Sequence, residues 1–235
     1  MEFISLPGLT KYEDARELQL AWVDARAKDE NPDRVLFCEH EPVITRGRGL
    51  QWTGEKKEER SKPILIPLPA EISYQESERG GDLTYHGPGQ LVMYPILKLD
   101  GEGFGPNHDV NAYIRKLEEL VITWLRDGYQ ITATRKQDSS GVWIGERKIA
   151  SVGIAVRKWV AYHGIAINIV NDLAPFQLFS PCGLPSDVMT RLCDFVPGLH
   201  GKQDWRTEIE ASLADHIAKM ANKNPEVSDH LSSGV

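Results

Sequence analysis

Length, composition and charge limit the classes to which this chain can belong. It has 235 residues, 41% of them apolar, and a formal net charge of −7. This size and apolar content predict one globular domain over residues 1–235 with a sizeable core. The acidic balance argues against a nucleic-acid partner, and no run of about 20 apolar residues is present to form a membrane span.

In chain order, apolar periodicity predicts helices over residues 12–29, 109–126 and 205–220. On the first helix, Ala15, Leu18, Trp22 and Ala25 share one face. Asp109 precedes the second helix and is a candidate N-cap, because its carboxylate can accept a hydrogen bond from the first turn.

Short apolar or alternating runs rich in β-branched residues predict the strands. They cover residues 34–40, 64–68, 71–75, 91–99, 129–135, 141–145, 148–159 and 161–170. The polar segment 51–62 is expected to be a surface loop, and the tail from about 222 to 235 is expected to be frayed. Helices and strands do not alternate regularly, so we expect an α/β (α+β) domain with a mixed sheet flanked by helices.

The three cysteines and the N-terminus predict the cellular setting. Cys38, Cys182 and Cys193 lack the close-paired spacing of zinc ligands, and an odd number cannot form a complete set of disulfides. No secretory signal is visible, because the first residues lack a basic start followed by an apolar stretch. These features predict a cytoplasmic protein without a metal site.

The stretch RGGDLTYHGPGQ, residues 79–90, is too rich in glycine for a buried strand. Glycine permits positive φ and close backbone approach, and exposed N–H groups can then bind a carbonyl or phosphate oxygen. Neither GxxxxGKS/T nor GxGxxG is present, so this is not a recognised nucleotide loop. A tight turn around a satisfied histidine explains the pattern equally well.

Two further segments carry a candidate reactive side chain each. Lys148 begins the apolar strand of GVWIGERKIASVGIAV, where it is either a solvated turn residue or a cation held over a pocket. Cys182 lies between Pro181 and Gly183 in FSPCGLPSDVMTRL. A cysteine in such an irregular segment is either a small buried hydrophobe or a nucleophile.

Taken together and in this order, these motifs closely resemble the lipoyl(octanoyl) transferases, which are octanoyl-ACP:protein N-octanoyltransferases. The resemblance rests on RGGDLTYHGPGQLVMYPI, GVWIGERKIASVGIAV, YHGIAINI and PCGLPS, together with CEHEPVITRGRG upstream. It runs from about residue 35 to about residue 198.

The resemblance implies a fold like that of the biotin and lipoate protein ligases, around a hydrophobic acyl tunnel. It implies that Cys182 is the acyl-accepting nucleophile and that Lys148 is its activating partner. It also implies a substrate site made of Arg79, Gly80, Gly81, Asp82, Leu83, Thr84, Tyr85, His86, Ser151, Val152, Gly153, Gly164, Ile165 and Ala166. On this interpretation Gly80, Gly81, Gly87 and Gly89 let backbone approach the acyl chain.

The implied reaction moves an octanoyl or lipoyl group from acyl carrier protein to a lysine of a lipoyl domain. The acceptors would be the E2 subunits of 2-oxoacid dehydrogenases and the glycine cleavage H protein. No ATP, other cofactor or metal is needed, because a thioester is already activated and the amide product is more stable. No membrane partner is implied.

Partner docking raises a charge problem, because carrier proteins and lipoyl domains are typically acidic, as is this chain. We therefore expect a local basic patch. The candidates are Arg46, Arg48, Arg79, Arg157 and Lys158.

Three alternatives remain open at the level of sequence. An ATP-dependent lipoate or biotin ligase would share the fold but consume ATP. A cysteine hydrolase would need a histidine and asparagine partner that the sequence does not place. An acyl-binding scaffold with an inactive site would show no turnover.

Overall fold

The chain forms a seven-stranded mixed sheet between helices, with a three-stranded sheet beside it. The computed structural model describes residues 1–49, 67–101, 104–137, 139–179 and 187–222. The strands are β1 (Glu2–Thr10), β2 (Arg34–His40), β3 (Val43–Arg46), β4 (Ser73–Glu76), β5 (Leu83–His86), β6 (Gln90–Lys98), β7 (Thr134–Lys136), β8 (Ser139–Ile144), β9 (Arg147–Arg157) and β10 (Val160–Asn168). The helices are α1 (Tyr12–Arg26), α2 (Val110–Tyr129) and α3 (Trp205–Asn222), with short 3-10 helices at Ala174–Leu178, Leu192–Asp194 and Leu199–Gly201.

Several predictions from the sequence fall outside the described residues. These are the loop at 51–62, most of the strand predicted at 64–68, Cys182, and the tail from 223 onward.

The large sheet has the strand order β1-β2-β6-β10-β9-β8-β7. The pair β1 and β2 is parallel, and the pairs from β2 to β7 are antiparallel. The mixed sheet predicted from the sequence is therefore confirmed. The central strands β6 and β10 are buried along almost their whole length, because helices cover both faces of the sheet.

Helices α2 and α3 pack together on one face of the large sheet and form the main core, which includes Leu117, Trp124 and Leu213. The N-cap prediction for α2 is confirmed, since Asp109 Oδ1 accepts a hydrogen bond of 2.9 Å from the Ala112 N–H. Within the described residues, no helix is both long and apolar enough to cross a membrane.

Helix α1 covers the opposite face of the sheet, against β6 and β10. The predicted helix is confirmed, but the face that it buries differs from the predicted one. Its buried residues are Tyr12, Ala15, Gln19 and Val23, whereas Leu18 and Trp22 are partly exposed. The apolar spacing missed this because Tyr12 and Gln19 are polar at one end and are buried through hydrogen bonds that the sequence does not show.

The β6–β10 ladder is interrupted where His163 lies opposite Pro95. Ladder partners are found at Val160 and Ala161 and again from Ile165 onward. Pro95 has no N–H to donate, and His163 adopts a positive φ of 56°. The His163 N–H instead donates to Gln19 Oε1 of α1 at 2.9 Å. Helix α1 thus provides a hydrogen-bond partner for the His163 N–H, which the β6–β10 ladder does not pair.

The small sheet has the order β4-β3-β5 and its own apolar cluster, which includes Ile44, Leu83 and Phe176. Strand β3 pairs in parallel with β4 and antiparallel with β5. The strand predicted at 71–75 is observed slightly later, as β4. Strand β5 contains the LTYH of the glycine-rich motif, so this motif is partly strand and not a loop alone.

Strand β1 was not predicted from the sequence, and α3 holds it in place. Arg206 of α3 donates to the carbonyl oxygens of Leu6 and Gly8 in β1, the latter at 3.1 Å. The same guanidinium lies 3.3 Å from Glu39 Oε1 of β2. Helix α3 therefore fastens strand β1 to its neighbour β2.

Two glycines allow a matched test of this packing. A Cβ on Gly164 would overlap the Met93 carbonyl oxygen and lie 2.7 Å from Pro95 Cδ, whereas a Cβ on Gly128 of α2 would meet nothing within 4 Å. We expect Gly164→Ala to lower the free energy of unfolding by about 1–3 kcal/mol or more through overpacking. We expect Gly128→Ala to be neutral or to stabilise by up to about 1 kcal/mol. Denaturant unfolding measures both, and equal effects would contradict the packing argument.

Candidate active site

Two of the predicted substrate-site runs lie side by side in the large sheet. Gly153 pairs with Gly164, Val152 with Ile165, and Ser151 with Ala166. Directly paired residues project from the same face, so the small side chains of Ser151 and Ala166 and the two glycines form one continuous patch. We call Ser151, Gly153, Gly164 and Ala166 the floor. Val152 and Ile165 project to the other face and pack in the α2–α3 core.

A bulge in β9 brings Lys148 to the same face as the floor. Trp143 pairs with Lys148 but Val142 pairs with Ala150, so β9 has one extra residue at Ile149. Ile149 and Ala150 both belong to the α2–α3 core. Lys148 therefore leaves the strand on the face that carries Ser151, which simple alternation would not give.

The Lys148 side chain crosses Gly141 of β8 and is only 4% exposed. Its Nζ lies 3.3 Å from Ser139 Oγ and 5.6 Å from the centre of the Trp143 ring. A Cβ on Gly141 would lie 2.5 Å from Lys148 Cε, and Gly141 has a φ of 140°. The solvated-turn interpretation of Lys148 is therefore wrong, because the bulge and Gly141 hold this side chain inside the protein.

Glu118 of α2 supports this arrangement from the other side of β8. Its Oε1 accepts a hydrogen bond of 2.8 Å from the Gly141 N–H, and Oε2 lies 3.7 Å from Arg135 Nε. Burial raises the pKa of this carboxyl group, and the Gly141 hydrogen bond opposes that shift. Glu118 thus fixes the glycine over which the lysine passes.

The chain returns to Lys148 shortly after Cys182. The Lys148 N–H donates to the Val188 carbonyl at 2.8 Å, and the Thr190 N–H donates to the Lys148 carbonyl at 3.0 Å. Val188 is six residues beyond Cys182 (188 − 182). Cys182 itself lies outside the described residues, so its side chain stays a prediction.

The start of the glycine-rich motif lies against the floor. The Gly80 N–H donates to the Ile154 carbonyl of β9 at 2.8 Å. A Cβ on Gly153 would come within 3.1 Å of Arg79 Cδ and of the Gly80 carbonyl oxygen. The structure therefore brings together the three predicted substrate-site runs, at 79–86, 151–153 and 164–166.

Arg79 is a buried brace between this motif and β3. Its Nη2 donates to the Thr45 carbonyl at 2.7 Å, to Thr45 Oγ1 at 2.8 Å and to the Asp82 carbonyl at 2.7 Å. Its Nη1 donates to the Gly80 carbonyl at 3.1 Å. At 7% exposure Arg79 cannot belong to a surface docking patch, so that part of the prediction is wrong.

The other predicted motif residues fall in β5. Leu83, Thr84, Tyr85 and His86 are all at least 92% buried, and Asp82 lies at the edge, 4.0 Å from Arg46. Their binding role stays a prediction.

Gly87 and Gly89 have a different purpose from the one predicted. A Cβ on Gly87 would overlap the Tyr85 hydroxyl, and a Cβ on Gly89 would lie 2.7 Å from the Asn171 nitrogen. Gly89 also has a φ of 84°. Other parts of the chain fill the space beside these two glycines, whereas the sequence interpretation assigned that space to an acyl chain.

The other candidates for the basic patch lie at the end of β3 and at the β9–β10 turn, and the patch stays a prediction. Arg157 and Lys158 lie at the far end of β9, nine residues from Lys148 (157 − 148), or about 30 Å along a strand. They lie 3.1 Å and 4.0 Å from Asp24 of α1, which neutralises part of their charge. Arg48 is exposed near the glycine-rich motif, where its N–H donates to the Arg79 carbonyl, and Arg46 is one-third exposed.

A cluster of buried histidines and tyrosines lies beside β5. His40, His86 and His163 surround Tyr12, with ring centres 5.5 to 6.5 Å from it. The pKa of each of these histidines is lowered, chiefly by burial, and that of His40 is lowered to about 4. His40 is neutral, with Nδ1 donating to the Thr10 carbonyl at 2.9 Å and Nε2 accepting from the Tyr94 hydroxyl at 2.8 Å.

The sequence interpretation missed two polar residues of the site, Glu118 and Asn168, and gave no role to Gln90 of the glycine-rich motif. Glu118 lies on the buried side of α2, and Asn168 interrupts the apolar run of β10. A polar residue inside an apolar pattern was the available signal, since a buried polar group needs a partner.

The chain matches known sequences over most of its length. A sequence model of the lipoyl protein ligase A/B catalytic domain matches residues 11–214. The chain is 39% identical to an octanoyltransferase of Syntrophobacter fumaroxidans, with 92% of this chain and 89% of the relative covered. It is 40% identical to an octanoyltransferase of Gloeobacter violaceus, with 84% and 82% covered.

Solved structures support the fold. A bi-partite lipoate protein ligase from Thermoplasma acidophilum superimposes with a TM-score of 0.64 at 18% identity, covering 94% of this chain and 83% of that chain. LipL1 of P. falciparum in complex with lipoate gives 0.65 at 11% identity, covering 96% and 64%. At these identities the likeness concerns architecture, and it confirms the predicted fold class.

The histidine cluster predicts acid sensitivity. The ordinary histidine pKa is 6.5 and that of His40 is about 4, so between these values the unfolded chain binds more protons and stability falls as pH falls. From about pH 7 to about pH 4, His40 alone contributes a loss of about 3 kcal/mol. We expect His40→Asn to show a smaller loss in urea unfolding over this range than the wild type does. Exposed His200→Asn is the control, and an unchanged pH slope in His40→Asn would contradict the assignment.

Proposed function

Since the chain belongs to the lipoyl protein ligase A/B catalytic domain family, with octanoyltransferases as relatives, we propose that it transfers the acyl group in two steps through Cys182. The chain is an acyltransferase that moves an octanoyl group to lipoyl domains. We propose acyl carrier protein as the donor, and E2 subunits of 2-oxoacid dehydrogenases and the glycine cleavage H protein as acceptors.

The observation that carries the proposal is the position of Lys148. Its side chain is buried on the floor face, and its backbone is bonded to Val188 and Thr190, in the segment that follows Cys182. Lys148 and Val188 are forty positions apart in the chain (188 − 148), and their hydrogen bond places them in one local structure. A lysine beside a cysteine favours the thiolate, which is the nucleophilic form.

In the first step, the Cys182 thiolate attacks the thioester carbonyl of the octanoyl donor. A new thioester forms on Cys182, and the carrier thiol leaves and takes up a proton. In the second step, the amine of the acceptor lysine attacks this thioester, an amide forms, and the Cys182 thiolate is released. Lys148 stabilises the thiolate in both steps or accepts the proton that the amine loses.

The floor is suited to an acyl chain because it presents little side-chain volume. Ser151 and Ala166 have small side chains, and Arg79 and Gly80 lie against the floor at Gly153. An eight-carbon chain buried there gains roughly 0.8 kcal/mol per methylene. The acyl tunnel implied by the resemblance stays a prediction, as does the cytoplasmic setting.

No ATP is needed in this mechanism, because the donor thioester supplies the free energy. This separates the proposal from an ATP-dependent ligase on the same fold. The experiment is intact-protein mass spectrometry after incubation with octanoyl carrier protein and no ATP. We expect a gain of one octanoyl group on Cys182 that disappears when a lipoyl domain is added.

Cys182→Ser is the matched variant, since its hydroxyl has nearly the same shape and is a much weaker nucleophile. We expect no adduct in that variant. An octanoyl adduct that persists in Cys182→Ser would refute the nucleophile assignment. Modification of the lipoyl domain only with free octanoate and ATP would favour the ligase.

Gly141 gives a second test of the lysine. A Cβ at this position would overlap the Ala150 carbonyl oxygen of β9 and lie in the path of Lys148, so Gly141→Ala is expected to lower the transfer rate by roughly 100-fold through misplacement of β9 and of the amine that it carries. Gly145→Ala in the same hairpin is the control, because it also has positive φ but would meet nothing within 4 Å. Both variants carry backbone strain, so equal loss of rate in both would contradict the role of Gly141.

A further inference from the structure

Gln90, the last residue of the glycine-rich motif, is buried, and its side chain makes three hydrogen bonds. It is 2% exposed and begins β6. Its Nε2 donates to the Tyr85 carbonyl at 3.1 Å and to Asn168 Oδ1 at 2.9 Å. Its Oε1 lies 2.8 Å from Nδ1 of His86. The amide thus joins the middle and the end of its own motif to the end of β10.

Asn168 continues the path to the segment beside Lys148. It is 1% exposed and pairs directly with Gln90 across the sheet. Its Nδ2 donates to the Thr190 carbonyl at 3.0 Å, and the Thr190 N–H donates to the Lys148 carbonyl. Hydrogen bonds therefore run without a break from His86 to the strand of Lys148. We call the side chains of Gln90 and Asn168 the amide relay.

The groups at the two ends of the relay determine which of its atoms donate and which accept hydrogen bonds. The Tyr85 and Thr190 carbonyl oxygens can only accept, so both amide NH2 groups must face them. Gln90 Oε1 must then accept, which places the proton of His86 on Nδ1. The Nε2 of His86 consequently carries the lone pair. One buried pair of amides thus sets both the tautomer of His86 and the position of the Thr190 carbonyl.

We propose that Gln90 and Asn168 are positioning residues for acyl transfer. Their relay fixes His86 with Nε2 as a hydrogen-bond acceptor and holds residues 188–190 against Lys148. This inference rests on the proposed function, because it assumes that Lys148 and the segment after Cys182 act together. In this proposal both amides act through His86 and residues 188–190.

The first test compares buried amides on and off the relay. Gln90→Leu and Asn168→Leu remove the relay, and Gln19→Leu removes an equally buried amide whose Oε1 accepts from the His163 N–H. We expect the relay variants to lower kcat roughly 10- to 100-fold, with the KM for octanoyl carrier protein within about twofold. Gln19→Leu should lower Tm and leave kcat within about twofold. An equal loss of kcat in all three variants would overturn the proposal.

The second test uses a change that keeps the shape. In Gln90→Glu the carboxylate still faces His86 Nδ1 but cannot donate to Asn168, and its charge favours the protonated imidazole. We expect the acidic limb of the kcat–pH profile to move to higher pH. A purely structural role would leave the profile in place, and that result would overturn the assignment of His86. Asn168→Asp, which loses the donor to Thr190, should lower kcat without moving the profile.

The third test asks whether the two amides act as one unit. The double variant Gln90→Leu/Asn168→Leu should lose no more kcat than the worse single variant, and independent, multiplying losses would overturn the relay. If the leucine variants do not fold, the near-isosteric Gln90→Glu and Asn168→Asp decide the question in the same assays. Formation of the Cys182 adduct by the wild type keeps the two proposals distinguishable: no adduct refutes the proposed function, whereas an adduct with unaffected relay variants refutes only the relay.

Discussion

The hydrogen bond from the Gly80 N–H to the Ile154 carbonyl is the contact on which the site depends, because it joins two sheets that have no strand in common. Arg79 makes this contact rigid by donating to three carbonyl oxygens, and Gly153 makes it possible by leaving room for Arg79 and Gly80. The candidate site thus lies at a junction, with the floor on the large sheet and Arg79 and Gly80 on the segment that leads into the small sheet.

Lys148 shows how a small irregularity sets chemistry. One extra residue in β9 turns the lysine toward the floor, and Gly141 gives it a path. Glu118 then fixes Gly141 from the far side of the sheet. Each element is ordinary by itself, but together they place the amine of Lys148 inside a packed protein. A charge at that position is screened far less than at the surface and acts more strongly on its neighbours.

The sequence predicted the elements that show local periodicity. It failed for features that depend on contacts between residues far apart in the chain. Helix α2, with its cap and wide apolar face, was predicted well, as were the long strands β9 and β10. Strand β1 was missed because Pro7 and Gly8 weaken its pattern and its partner lies beyond α1. The family motifs identified Lys148, but its burial follows from a bulge, and the Gln90–Asn168 contact joins residues 78 positions apart. No local pattern contains such pairings.

The fastening of β1 by Arg206 has a consequence for how the chain is made. The carbonyl oxygens of Leu6 and Gly8 leave the ribosome 200 and 198 residues before the guanidinium that binds them. Strand β1 therefore cannot be fastened until α3 has been synthesised. Contacts of such long sequence separation form late and slowly. An incomplete chain would present an open strand edge, which is a template for association with other chains until α3 arrives.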